Sequence, residues 1–167
     1  MKELSTHAEL KAKLLYSKRT GLFTWKVRTG ARGLKATVAG HVHKDSGYRT
    51  IKTGGRHYRA ARLAWFYVTG QWPTHDIDHK NGIRSDDRFR NLRDVPTYVN
   101  VQNERKARSN NQHKVLGVLP SRTKGKFVAR IGLPDGTKKW LGTFSTVEQA
   151  GSAYLVAKRQ LHEGCTL

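Results

Sequence analysis

The order of apolar and polar positions predicts a short helix and then a strand at the start of the chain. Thr6 and Glu9 have the spacing of a capping box, and leucines recur on one helical face behind them, which predicts an amphipathic helix over residues 6–17. Residues 22–27 are rich in strand-forming side chains. Residues 28–35 are rich in glycine and basic residues, which predicts a basic loop.

Two alternating runs within residues 48–59 predict a β-hairpin with a basic face. A pair of glycines separates the runs and supplies the tight turn. Residues 60–69 then change to helical spacing, and Gly70 stands where it can end that helix. The sequence therefore predicts a hairpin that is followed directly by an amphipathic helix.

Residues 76–103 follow a pattern of strand, loop, strand and helix and contain most of the polar side chains of catalytic type. Residues 76–79 alternate and are closed by an Asn-Gly pair, which predicts a short strand and a turn. Residues 92–95 alternate again and stop at Pro96. We expect Thr97 to cap the helix that follows.

The last third of the chain changes to longer strand-like runs and ends in a helical pattern. Residues 115–119, 126–133 and 138–143 predict three antiparallel strands. Ser145 and Glu148 have capping-box spacing in front of a helix with small residues on its apolar face. The whole pattern predicts an α+β fold with an N-terminal helix, a hairpin, the central motif, and a three-stranded sheet packed on one helix.

Charge points to a polyanionic partner. The 167 residues include 32 Lys and Arg against 12 Asp and Glu, which gives a formal net charge of +20. Such a balance favours nucleic acid as the default partner. No apolar run approaches the roughly 20 residues that a membrane-spanning helix needs, so no membrane partner is expected.

Cysteine and histidine usage argues against structural zinc. Cys165 is the only cysteine, so neither a disulfide nor a Cys-rich zinc site can form within the chain. His75 and His79 are four residues apart, but the pattern between them is strand-like, whereas a zinc pair at this spacing belongs on a helix. The first residues lack a signal-peptide pattern, so we expect a cytoplasmic protein that is not secreted.

Four polar side chains in the central motif have the chemistry that phosphodiester hydrolysis requires. Hydrolysis needs a base for the attacking water, a cation for the growing charge, and a group that holds the base. His79 can serve as the base, because unperturbed histidine titrates at roughly pH 6.5. The Asp78 carboxylate and the Asn100 carboxamide are oxygen ligands that suit Mg²⁺ or Mn²⁺. The alternative is that these side chains only cap turns.

At these positions the sequence resembles the HNH nuclease family, in the His-Asn-Asn form of phage and intron-encoded homing endonucleases with a ββα-metal motif. The phrases DHKNG, RNLR and NVQN carry the resemblance. It implies that His79 is the general base and that Asn91 orients its imidazole. It further implies that Asp78 and Asn100 hold a single divalent cation, with Mg²⁺ as the first expectation and Mn²⁺ as the second. Asn100 stands where many relatives have histidine.

Residues 114–162 resemble the AP2 DNA-binding domain of phage nucleases and plant transcription factors. The resemblance rests on the phrase WLGTF before the last helix and on an Ala-Tyr pair within it. It implies that the exposed face of the three-stranded sheet enters the major groove of DNA. The candidate DNA contacts are Arg105, Lys106 and Arg108 after the central motif, and Arg122, Lys124, Lys126, Arg130, Lys138 and Trp140 in the C-terminal sheet region.

These predictions define two domains. Residues 1–105 form a nuclease domain with its ββα-metal core at 76–105, residues 106–113 form a linker, and residues 114–167 form the AP2-like domain. The predicted function is a metal-dependent DNA endonuclease, with an inactive DNA-binding regulator as the alternative. An RNA-binding protein fits the charge but lacks a matching motif. A monomer is favoured, while the target site and the number of strands cut stay undetermined.

Overall fold

The computed structural model describes residues 6–27, 36–107 and 109–167. Contacts between residues divide the chain into two compact units, Met1–Val95 and Pro96–Leu167. This division falls ahead of the predicted linker at 106–113, so the helix of the central motif is grouped with the C-terminal unit. The predicted basic loop at 28–35 and Arg108 lie outside the described residues.

The N-terminal helix is shorter than its pattern predicted. Helix α1, His7–Lys13, begins with the predicted capping box, in which the Thr6 hydroxyl accepts a hydrogen bond from the Glu9 main-chain nitrogen. The prediction of a helix to residue 17 was wrong, because the chain becomes extended at Leu14 and forms strand β1, Leu14–Tyr16. Strand β1 pairs with strand β2, Phe23–Trp25, so main-chain pairing replaces the last helical turn.

The central part of the first unit is a small antiparallel sheet backed by a helix. Strands β3, His41–Val42, β4, Arg49–Thr53, and β5, Arg56–Arg59, lie side by side in that order. Helix α2, Ala60–Thr69, follows directly and ends at Gly70, as the sequence predicted. Buried side chains of α2 join those of α1, β1 and β2 in one apolar core.

The first unit ends in a two-stranded ribbon that carries the central motif. Strands β6, Asp76–His79, and β7, Leu92–Val95, have the predicted bounds and pair antiparallel, with His79 opposite Leu92. A 3₁₀ turn, Phe89–Asn91, leads into β7. Because Leu92 and Ile77 join the apolar core, the ribbon is anchored to the first unit.

The second unit begins with a short helix and continues as a sheet packed on a long helix. Helix α3 is Thr97–Gln102, and Pro96 occupies its N-cap position, so the prediction that Thr97 caps the helix was wrong by one residue. Strands β8, Val118–Pro120, β9, Phe127–Gly132, and β10, Lys138–Phe144, form an antiparallel sheet in the order β10, β9, β8.

Helix α4, Val147–Leu161, covers one face of that sheet. Its N-cap is Thr146, whose hydroxyl accepts from the Gln149 nitrogen at 3.2 Å, so the predicted cap at Ser145 was one residue early. The described elements are thus mixed helices and small antiparallel sheets, as an α+β fold requires. Across the described ranges, no helix is long and apolar enough to cross a membrane.

Candidate active site

His79 lies at the end of β6 and is fixed by a carboxylate that the sequence analysis did not identify. Its Nε2 atom is 2.9 Å from Oδ1 of Asp87, and the two side chains are only 4% and 2% exposed. A carboxylate oxygen accepts this hydrogen bond, which places the proton of a neutral imidazole ring on Nε2 and its lone pair on Nδ1. Burial shields this hydrogen bond from competing water and strengthens it. Asp87 therefore sets both the orientation and the tautomer of His79.

The N-terminal strands hold the main chain of Asp87 in place. The Tyr16 hydroxyl donates to the Asp87 carbonyl oxygen at 2.6 Å, and burial together with the Asp87 charge raises the pKa of Tyr16. Gly21 approaches the same segment closely. A Cβ added at Gly21 would lie 2.4 Å from the Arg88 nitrogen, and its φ of +74° also disfavours other residues. The His79 and Asp87 pair thus depends on contacts from the first strands of the chain.

Asn91 contacts the loop between β6 and β7. Its Oδ1 accepts from the Asn81 nitrogen at 3.0 Å, and its Nδ2 donates to Asn81 Oδ1 at 3.0 Å and to the Asp86 carbonyl at 2.8 Å. Its carbonyl oxygen also accepts from the Lys80 nitrogen at 2.9 Å. The contacts of Asn91 therefore fix the loop that leads to Asp87, whereas the imidazole itself bonds to Asp87.

Asp86 is a second carboxylate of the loop and has a different partner. It forms an ion pair with Arg88 and accepts a hydrogen bond from Asn81 Nδ2 at 2.6 Å. These interactions, with the Arg88 hydrogen bond as the largest, hold the pKa of Asp86 below its usual range. Because the folded-state pKa is lowered, the pair stabilises the fold at neutral pH and loses this effect as the pH falls through that pKa.

Asp78, the first predicted metal ligand, is buried on β6 opposite Arg93. Arg93 Nε and Nη2 lie 2.8 Å and 2.7 Å from Asp78 Oδ2, so a guanidinium balances the buried carboxylate. Asn100, the second predicted ligand, is half-buried on α3 in the other compact unit. No cluster of three His, Cys, Asp or Glu side chains suited to a metal occurs among the described residues. One carboxylate and one carboxamide still offer the oxygen atoms that hard cations prefer.

The helix that carries Asn100 is held by the end of the chain. Gln102 Oε1 accepts from the Gly164 nitrogen at 3.0 Å, and Asn103 Oδ1 accepts from the Thr166 hydroxyl at 2.6 Å. Lys158 on α4 is 1% exposed, donates to the Glu104 carbonyl, and has a pKa that burial lowers. These contacts all lie within the second unit, so α3 is built into the C-terminal unit.

The predicted DNA contacts near α3 have distinct environments. Arg105 donates from Nη2 to the carbonyl and hydroxyl oxygens of Thr166 at 2.9 Å and 2.8 Å, which assigns it a structural contact as well. Lys106 is exposed, and Arg108 is outside the described residues. Arg105 is exposed as well, so two of the three predicted contacts are surface cations that the structure describes.

In the C-terminal sheet, one predicted pair lies side by side on the surface. Arg130 on β9 is exposed and directly opposite Trp140 on β10, whose side chain is 65% exposed. The neighbouring residues Ala129 and Ile131 point to the helix side and are buried. Lys126 Nζ donates to the Ser145 hydroxyl at 2.9 Å. The other exposed candidates are Arg122 and Lys124 before β9 and Lys138 on β10.

The central part of the chain matches a known family. Residues 58–102 match the model of the HNH endonuclease family. The matched range runs from β5 to the end of α3 and includes Asp78, His79, Asn91 and Asn100. This match supports a nuclease of the HNH type, a class of hydrolase that acts on DNA and generally uses a divalent metal ion. A comparison of the chain with curated proteins gives no match.

Asp87 is the residue of the site that the sequence analysis missed. It follows Asp86 in a polar loop without apolar periodicity, so no strand or helix pattern indicated which of the two carboxylates would be buried. The one available signal was an Asp-Asp pair four and five residues before Asn91. Only the fold of the loop separates the buried Asp87 from the half-buried Asp86.

Proposed function

We propose that the chain is a metal-dependent DNA endonuclease of the HNH homing type. The observation that carries this proposal is the buried hydrogen bond between His79 and Asp87 within the segment that matches HNH endonucleases. A histidine with its proton fixed on one nitrogen by a carboxylate is ready to accept a proton on the other. That arrangement suits a general base better than a turn-capping side chain.

In this mechanism His79 removes a proton from the water that attacks the phosphodiester. The new bond joins the water oxygen to phosphorus, the bond from phosphorus to one ester oxygen breaks, and the abstracted proton resides on Nδ1. Asp87 faces the imidazolium that forms and stabilises its charge, as a carboxylate does behind a catalytic histidine. General-base assistance of this kind contributes about 10²- to 10⁴-fold.

Asn91 is a positioning residue in this proposal. Its hydrogen bonds to Asn81 and Asp86 keep the loop in the conformation that presents Asp87 to the imidazole. The family resemblance implies that Asn91 orients His79. In this proposal Asn91 does so indirectly, through the loop that carries Asp87.

Asp78 and Asn100 would hold one divalent cation, as the family resemblance implies, with Mg²⁺ first and Mn²⁺ second. The cation would stabilise the charge that grows on the phosphate and the leaving oxygen. Asp78 offers a buried carboxylate, and Arg93 holds it in place through an ion pair with Oδ2. No structural zinc is part of the proposal.

The C-terminal unit would bind double-stranded DNA as an AP2-like module. The observation that supports this is the exposed pair of Arg130 and Trp140 on the face of the sheet that α4 does not cover. Arginine can pair with two acceptors of a guanine in the major groove. We expect the protein to act as a monomer in the cytoplasm, with a phage origin. A catalytically inactive DNA-binding regulator is the alternative.

Cleavage of supercoiled plasmid tests the proposed function. We expect nicked or linear product with Mg²⁺ and none with excess EDTA, because the phosphodiester needs the cation. Restoring Mg²⁺ should restore cleavage, and Mn²⁺ should substitute for it. Retained DNA binding with no cleavage under any divalent metal would instead support the regulator.

Asp87→Asn tests the role of the buried carboxylate. Asparagine can still accept the hydrogen bond from Nε2, so we expect the orientation of His79 to persist while the charge that stabilises imidazolium is lost. The kcat for cleavage should fall about 10²-fold, with DNA affinity unchanged. Single-turnover cleavage and binding in EDTA separate the two quantities.

Asp86→Asn is the matched control, because it removes a neighbouring carboxylate whose partners are Arg88 and Asn81. It should affect thermal stability more than kcat. Equal losses of kcat in the two variants would show that Asp87 acts only through the fold of the loop.

A further inference from the structure

Two arginines lie over the ring of Tyr48, in the segment that follows the short strand β3. The Cζ atom of Arg59 is 4.0 Å from the ring centroid, and that of Arg84 is 5.1 Å from it. Both distances are within the range of a cation–π contact. Arg84 also donates from Nη1 to the Ser46 carbonyl at 3.1 Å, which ties the loop after β6 to the turn before Tyr48.

This cluster is next to the proposed general base. The rings of Tyr48 and His79 have centroids 5.9 Å apart and are tilted by 48°, an ordinary aromatic contact. Arg59 and Arg84 are exposed, whereas His79 is buried. The cluster of Tyr48, Arg59 and Arg84 therefore forms a cationic surface beside the catalytic histidine.

Among the described residues, acidic side chains do not pair with the two arginines of this cluster. Arg88 in the loop and Arg93 on β7 pair with Asp86 and Asp78. Within the described part of the chain, neither Arg59 nor Arg84 forms an ion pair with a carboxylate. Two like charges held over one ring repel each other, and an anion bound between or beside them relieves that repulsion. The guanidinium groups of Arg59 and Arg84 can therefore bind an anion beside His79.

We propose that Arg59 and Arg84, held by Tyr48, bind backbone phosphates of the DNA strand next to the phosphate that His79 attacks. The position of these phosphates relative to the cut rests on the proposed nuclease function. Successive phosphates of one strand are about 3.4 Å apart along the helix axis. Arg59 and Arg84 contact Tyr48, which in turn contacts His79, so their guanidinium groups can reach phosphates close to the one that is attacked. Guanidinium groups suit this task because their planar donors match phosphate oxygens in pairs. Tyr48 reduces the entropy lost on binding by holding the groups in advance.

The first experiment measures binding in EDTA, where no cleavage is required. The affinity of a short random-sequence duplex is determined at several salt concentrations for the wild type, Arg59→Ala, Arg84→Ala and the double variant. Each lost phosphate contact lowers the slope of log K against log salt by about 0.9, so the double variant should lose about 1.8. If the protein fails to cut plasmid, the nuclease proposal is wrong. The binding measurement still tests the phosphate contacts, because it does not require cleavage.

Arg56→Ala is the matched control, because Arg56 is an exposed arginine of the same strand at its turn end. We expect a smaller change of slope for this variant than for Arg59→Ala. Equal changes for Arg56→Ala and Arg59→Ala would overturn the proposal, since any surface cation would then contribute as much.

A second experiment uses duplexes in which one phosphate beside the mapped cut is an uncharged methylphosphonate. Wild-type cleavage of such a duplex should slow, while the double variant, which has already lost the contact, should show little further effect. Equal slowing of the wild type and the double variant would also overturn the assignment.

Discussion

His79→Ala is expected to reduce plasmid cleavage to background while DNA affinity stays near the wild-type value. The imidazole acts on the attacking water, and loss of a general base costs about 10²- to 10⁴-fold in rate. Affinity depends mainly on phosphate contacts made by lysine and arginine, to which the buried His79 contributes little. Cleavage at saturating DNA with Mg²⁺ and binding in EDTA measure the two quantities separately.

The substitution also removes the partner of a buried carboxylate. Leaving a buried acceptor without its donor costs about 1–3 kcal/mol, and more for a charged group, so His79→Ala can lose activity through unfolding alone. His79→Gln addresses this, because its side-chain amide can still donate to Asp87 but cannot act as a base near neutral pH. A folded His79→Gln protein that cuts plasmid at the wild-type rate would exclude His79 as the base.

Local sequence patterns predicted those elements whose residues interact mainly with their neighbours in the chain. Strands β6 and β7 and helix α2 have the predicted bounds, because strict alternation and a terminal glycine leave little choice. The helix predicted to residue 17 ended at Lys13, because Leu14 pairs with Trp25 in a strand. Periodicity could not anticipate this, since leucine fits both a helix face and a buried strand position.

The four site residues that motif spacing indicated lie within the range that matches the family model, but their contacts could not be predicted. The partner of His79 is Asp87, and its position depends on Tyr16 and Gly21, which are distant in sequence. Such long-range contacts follow from the packing of the whole unit. The roles of the four residues therefore remain proposals, with Asp87 added to them.

A linker at residues 106–113 would allow a chain that ends near Gln112 to keep the nuclease chemistry. The contacts of α3 give the opposite expectation. A chain that ends there lacks Lys158, Gly164 and Thr166, which bond to the residues at the end of α3. Helix α3 has six residues and is too short to be stable in isolation. We therefore expect this truncation to lose cleavage as well as affinity.

Gly164→Ala tests this dependence with a single added methyl group. A Cβ at Gly164 would lie 2.2 Å from the Val99 carbonyl oxygen and 2.9 Å from Gln102 Cβ, so α3 must move. Because α3 carries Asn100, a shift of about 1 Å can lower the cleavage rate by about 10²-fold. The rate should be measured at saturating DNA across a range of Mg²⁺ concentrations.

Two controls identify the cause of that loss. Gly132→Ala makes the same change on β9 of the same unit, where an added Cβ meets nothing within 4 Å, so cleavage should stay near the wild-type rate. Arg130→Ala on the exposed sheet face should weaken binding but keep the wild-type cleavage rate at saturating DNA. If Gly164→Ala cuts as fast as Gly132→Ala, then α3 does not need the C-terminal segment, and the nuclease chemistry belongs to the first unit and the helix alone.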